Sequence, residues 1–195
     1  LLMRVLLRVR PYEKIEGSSE ILYRKWAQRC KESIHRGNHK EFKVIVHDIV
    51  KDFDKLEIHK TKKPKVGLVG EILVKFHPTA NNNAIGVVEK EGAEAVVPDL
   101  IDFFLYCAYN PSFKQERLAG SQRAKWAGLG VIKFIEYYRR EMKKALEISK
   151  RFTPPKSIFD LAKAASPLLS IGNQTGEGWF LTAEMIELIE SGVEN

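Results

Sequence analysis

The sequence predicts an α/β fold: a parallel sheet, preceded by a helical N-terminal segment and accompanied by a long helical region. Three observations carry this. "KVGLVG", residues 65–70, is a short Val-rich run bounded by Pro64 and Gly70, the pattern of a buried parallel strand. "NNAIGVVEKEG" then reads as a helix, and "AEAVVP" as a second strand closed by Pro98. Together they make a βαβ unit of ~30 residues with a right-handed crossover. On either side of this unit, apolar residues recur at helical rather than alternating spacing.

Taken in order, residues 1–16 hold a short apolar helix whose pattern ends at Pro11. "GSSEILYRKWAQRCKESIHRG" is a second helix, with Ser18 or Ser19 as N-cap, Glu20 in the first turn and Gly37 as its stop. A third helix starts at the cap Asn38, and its stripe is Phe42, Ile45, Val46, Ile49, Val50 and Phe53. These elements form a helical segment, 1–58, that feeds the basic run "HKTKKPK", read as a solvated linker. The α/β domain occupies 59–195. Within it, "DLIDFFLYCAYN" is a helix or a loop and helix. Residues 117–152 form one long helical region that Gly128 and Gly130 bend and Pro154 and Pro155 end. "SIFDLAKAASPLL" is a further helix. A Gly-rich loop in "IGNQTGEGWFLTAEMIELIESG" leads into the last one, which ends at Gly192.

The chain has 195 residues, with 44% hydrophobic and 29% charged residues, the composition of a globular domain. No apolar run approaches the ~20 residues that cross a bilayer, and the Arg-rich opening "LLMRVLLRVRP" lacks a signal-peptide cleavage site. A first residue other than Met and an ending just where a strand should follow lead to the expectation of a fragment of a longer chain. Two separated cysteines, Cys30 and Cys107, suit a reducing cytoplasm and provide no disulfide framework. The net charge of +7 admits an anionic ligand, an acidic partner or nucleic acid. The dispersed basic residues argue against nucleic acid.

Two loops can carry chemistry. The first, Glu71 to Asn83, follows the first strand, where open α/β sheets bind ligands. Its amides Asn81, Asn82 and Asn83 can cap the next helix or bind a polar ligand. His77, before Pro78, is extended. The second is "GNQTGEGWFLTAEM", in which Gly176 and Gly178 flank Glu177 and permit unusual backbone dihedrals. It is neither a Walker A loop nor a dinucleotide fingerprint. His35 and His39 have the spacing of paired metal ligands, but Gly37 and Asn38 break the helix between them, so no metal site is assigned. No Ser-His-Asp or Cys-His arrangement is readable.

"KVGLVGEILVKFHPTANN", the following helix and "GAEAVVP" together resemble the 2-hydroxyacyl-CoA dehydratase and CoA-substrate-specific activase-related proteins, of the activator-fused and double-cubane-cluster types. "RVRPYE" near the start and "GEGW-L-AEM" leading into "ESGV-N" add to the likeness. The resemblance implies flavodoxin-like or Rossmann-like parallel sheets. It also implies an anaerobic, cytoplasmic 4Fe-4S redox protein whose electron transfer is coupled to ATP hydrolysis. Neither Cys30 nor Cys107 matches the cluster-binding motifs of that family, and no ATPase module is present. The fragment is therefore expected to bind neither cluster nor ATP, with no metal site and no catalytic activity of its own. The residues expected to line one face of a cluster pocket are Glu71, Asn81, Asn82, Gly176, Glu177 and Gly178. Other domains of the parent chain and a redox partner protein are the expected partners; membrane and nucleic acid are not. The alternative is a non-catalytic module that binds a small anionic ligand or a partner protein in the same strand-end cleft.

Overall fold

The computed structural model describes residues 1–193, with the backbone alone for His39. Nine α-helices and two strands lie in these residues. Helix α1 (Leu2–Val9) passes through a 3-10 turn at Arg10–Tyr12 into a loop, then α2 (Ser18–Arg36) and α3 (His39–Lys55). Strand β1 (Lys65–Gly67) is followed by α4 (Ile72–Phe76), α5 (Ala84–Lys90) and β2 (Glu94–Val96). Helices α6 (Leu100–Arg117), α7 (Gln122–Ile148), α8 (Ile158–Ala165) and α9 (Gly178–Glu190) complete the chain.

The expected α/β fold with a flavodoxin-like or Rossmann-like sheet is not what forms. The molecule is mostly helical, and the sheet among the described residues is a single parallel pair, with Lys65 opposite Glu94, Val66 opposite Ala95 and Gly67 opposite Val96. The predicted βαβ unit is there, but it is not repeated. Beyond Pro98 every apolar segment has helical spacing, and "DLIDFFLYCAYNPSFKQER" runs as one helix straight through Pro111. One crossover unit specifies two paired strands; extending it to a full sheet requires further short apolar runs, and this sequence supplies amphipathic helices instead.

Two apolar cores result. The first is built from α1, α2 and α3 around Val5, Val9, Ile49 and Phe53, and is closed by Met142, Ala145 and Leu146 of α7 and by Phe152. The second is aromatic: Tyr106, Trp179 and Phe180 pack with Leu105, Ile132, Ile158 and Leu161 from α6, α7, α8 and α9. Helix α7 runs through both. The first core therefore draws on residues from both sides of the 58/59 boundary.

Local chemistry explains the helix ends. Asn38 Oδ1 accepts from Lys40 N and Glu41 N, and Gly37 closes α2 in the left-handed region at φ 63°. The start of α2 differs from expectation. Glu13, from the preceding loop, accepts from Gly17 N at 2.7 Å and Ser19 N at 2.8 Å, and so does the capping assigned to Ser18 or Ser19. Residues 117–152 hold one long helix, α7, which starts at Gln122 because Ala119 turns left-handed at φ 53° and Ser121 caps it, and which ends at Ile148, before Pro154 and Pro155. Gly128 does not bend α7. A Cβ there would collide with the Ala108 carbonyl oxygen, so this glycine lets α7 lie directly on α6.

Candidate functional site

The loop after β1 folds into α4, a short helix that sequence patterning does not reveal. Glu71 sets it: Oε2 accepts from Leu73 N at 3.0 Å and Val74 N at 3.2 Å, completing an N-cap. His77 ends it in extended conformation and is exposed. Asn81 then ties the segment together. Its Nδ2 donates to the carbonyls of Val74 and Lys75, and its Oδ1 accepts from Ala84 N at the start of α5. Asn82 and Asn83 are exposed and both left-handed, at φ 54°, a conformation that asparagine tolerates better than most residues.

The second loop is equally constrained. Glu177 N donates to Gln174 O, and Trp179 N donates to Asn173 O. A Cβ on Gly178 would lie 3.0 Å from that same Asn173 oxygen. Tyr106 reaches across from α6, its hydroxyl donating to Gln174 O at 2.6 Å. Gly176 and Glu177 are consecutive left-handed residues, both at φ 61°. For glycine this is cheap; for glutamate it costs on the order of 1 kcal/mol.

These two loops meet. Ile72 N, at the start of α4, points to Glu177 Oε1 at 3.5 Å. Glu177 is 8% exposed, and its Oε2 has no hydrogen-bond partner. Burial raises its carboxyl above the ordinary range, Glu71 adds to the rise, and Lys75 opposes it. Of the six residues singled out from sequence, Glu71 and Glu177 face each other electrostatically. Asn81 and Gly178 are occupied with structural bonds and close packing. Asn82 and Gly176 are exposed beside them.

Sequence reasoning missed the strongest feature of this region. Lys75, on α4, donates to both oxygens of Glu184, on α9, at 2.6 and 2.8 Å, and the two side chains are 2% and 1% exposed. The ammonium also lies 5.7 Å from the ring centre of Phe180. Burial pushes the Glu184 carboxyl up to about 7 against the pull of Lys75, and Asp102 and Glu177 push it the same way. The signal was present in α9: Glu184 stands inside the apolar stripe of Phe180, Ala183 and Leu188.

A second group of buried charges lies between the two cores. Arg4 pairs with both oxygens of Asp99, at 3.2 and 3.1 Å. Burial alone would raise Asp99, but the Arg4 guanidinium holds it below its usual range. Arg139 Nη2 lies 2.9 Å from Asp102 Oδ1, close in distance but off-axis, so neither atom gains a hydrogen bond. Burial raises Asp102 to about 7.

No protein-family model, curated protein or solved structure matches this chain. The two cysteines sit in different surroundings. Cys30 packs against the first core, whereas Cys107 is exposed on α6 and senses Glu177. Burial first, then Glu177, raises the Cys107 thiol, so it stays protonated at neutral pH. Among the described residues no three His, Cys, Asp or Glu side chains are grouped to hold a metal ion. Nor is any helix among them long and apolar enough to cross a membrane.

Proposed function

We propose that this chain is part of an iron–sulfur redox protein resembling the 2-hydroxyacyl-CoA dehydratase activators. It would contribute the α4/α9 face of a cluster pocket in an anaerobic cytoplasm. The observation that carries this reading is the meeting, at Ile72 and Glu177, of the 71–83 and 172–178 segments expected from sequence to line one pocket. A left-handed glutamate with an unpartnered buried oxygen, next to a sealed Lys75–Glu184 pair, is costly for folding. Such strain is characteristic of sites held for function.

The residues present do not fit a complete cluster site. A 4Fe-4S cluster needs four thiolates or equivalent ligands, and Cys30 and Cys107 lie in separate neighbourhoods. Any ligands must come from other parts of a parent chain or from a partner protein. The role of this chain is then to shape and polarise the pocket wall. Glu177 supplies a carboxyl that burial raises above the ordinary range, and the Lys75–Glu184 pair fixes α4 against α9.

The test is anaerobic purification of the protein as its cells produce it, with iron, acid-labile sulfide and ATP hydrolysis measured. The reading expects a bound cluster whose electron paramagnetic resonance signal or reduction potential moves in Glu177→Gln. A protein without iron and inert toward ATP contradicts it, as does a cluster indifferent to Glu177.

A further inference from the structure

The basic run His59–Lys65, read from sequence as a solvated linker, is pinned at both ends. His59 N donates to Tyr12 O at 2.7 Å, Lys14 N donates to Glu57 O at 3.1 Å, and Glu94 N donates to Pro64 O at 2.8 Å. Held this way, the run forms the rim of a cavity of about 790 Å³, with Arg8, Tyr12 and Ile58 on its other wall. This volume falls within the range of small-molecule sites.

The lining is strongly one-signed. His59, Lys60, Lys62, Lys63 and Lys65 all border it. Among the described residues no carboxylate lines it, and Glu94, which bonds Arg8 and Tyr12 of the wall, is already occupied. It accepts from Arg8 at 2.6 Å and from the Tyr12 hydroxyl at 2.7 Å, and it is itself 3% exposed. Among the described residues, Lys60, Lys62, Lys63 and Lys65 have no carboxylate within ion-pair distance. Four ammonium groups within six consecutive residues repel one another. A concave, low-dielectric wall concentrates their field, so a compact anion relieves the repulsion.

We propose that this groove binds an oligophosphate, an anion carrying at least two adjacent phosphate groups, whether inorganic or on a nucleoside. Lysine ammoniums suit phosphate as point charges, without the planar geometry that selects carboxylates. Nucleic acid fits less well. A strand-binding groove needs exposed aromatic faces for its bases. Here the single aromatic ring in the wall, Tyr12, is 6% exposed and lies beneath Arg8 and Lys63. The basic run is also short: seven residues reach at most about 25 Å. The site is separate from the α4/α9 face, so it stands or falls independently of the cluster reading.

Calorimetric titration of the whole chain with tripolyphosphate, pyrophosphate, ADP, orthophosphate and a short single-stranded oligonucleotide tests this. Tripolyphosphate should bind at least about tenfold more tightly than orthophosphate, with binding that weakens as salt rises. Lys62→Glu plus Lys63→Glu should weaken it by at least about tenfold, whereas Lys51→Glu plus Lys133→Glu, the same change of net charge on exposed helix positions, should change it less than about twofold. ADP equal to pyrophosphate assigns the site to phosphates alone; tighter ADP assigns it to a nucleotide. No measurable tripolyphosphate binding, equal losses in both double variants, or tighter binding of the oligonucleotide each overturns the proposal. Circular dichroism of the variants separates lost binding from lost folding.

Discussion

The two halves of the interior solve the folding problem in different ways. The first core is apolar, and its largest fully buried side chain, Phe53, lies among hydrocarbon. The second region buries a lysine against a glutamate, leaves Glu177 Oε2 without a partner and places that residue in a left-handed conformation. A chain selected for stability alone would fill these positions with apolar residues and glycine. The contrast teaches that the α1–α3 unit is built for stability, and that the α4/α9 face carries a folding cost which the proposed site would explain.

The largest effects should come from removing one member of the buried pair. Lys75→Met leaves Glu184 buried alone and should cost about 3–5 kcal/mol at pH 8 in urea unfolding. The loss should be smaller at pH 5, where Glu184 holds a proton. Adding Glu184→Leu should recover most of that loss. Phe53→Ala, in the other core, should cost a comparable 3–5 kcal/mol, but with no difference between the two pH values. Equal pH dependence in both variants would erase the distinction drawn between the regions.

The unsubstituted protein should show the same contrast in its pH profile. Glu184 rises from 4.5 in the unfolded chain to about 7 when folded, so between these values the native state holds the extra proton. Its contribution is fully present below pH 4.5 and is lost as pH rises through about 7, amounting to on the order of 3 kcal/mol. Asp102, raised from 3.8 to about 7, acts in the same direction. Asp99, lowered by Arg4, acts oppositely, and its contribution is lost only as pH falls below 3.8. Unfolding free energies measured from pH 5 to 8 should therefore decline, and the Lys75→Met/Glu184→Leu chain should decline less.

Some of this was readable from the sequence. The stripe from Phe42 to Phe53, the Asn38 cap, the Gly37 stop and the βαβ unit all depend on residues close in the chain, where period and cap chemistry act directly. The extent of the sheet was not readable, because a single crossover unit looks the same whether it is isolated or the first of several. Nor was the Lys75–Glu184 pair, whose members stand 109 positions apart. The Glu71 and Glu177 loops were identified, yet Asn81 and Gly178 proved to be committed to carbonyls and close packing. Donors and acceptors of the chain's own backbone had claimed them, which side-chain type alone does not disclose.

A smaller effect tests the path of α7. Gly128→Ala drives a methyl group into the Ala108 carbonyl and should cost about 1–3 kcal/mol. Gly130→Ala, with open space around its Cβ position, should be neutral or slightly stabilising. Equal losses at the two glycines would mean that α6 and α7 do not approach each other here.

The most direct test of the central claim, that the α4/α9 face is held at the expense of stability, is the unfolding free energy of Glu177→Gly beside Glu177→Ala. Glycine relieves the left-handed backbone and removes the unpartnered carboxyl, whereas alanine removes the carboxyl and keeps the strain. The account predicts that Glu177→Gly is at least as stable as the unsubstituted protein and more stable than Glu177→Ala by about 1 kcal/mol. A Glu177→Gly chain destabilised as much as Glu177→Ala would contradict it, because Glu177 would then be a structural residue like those of the first core.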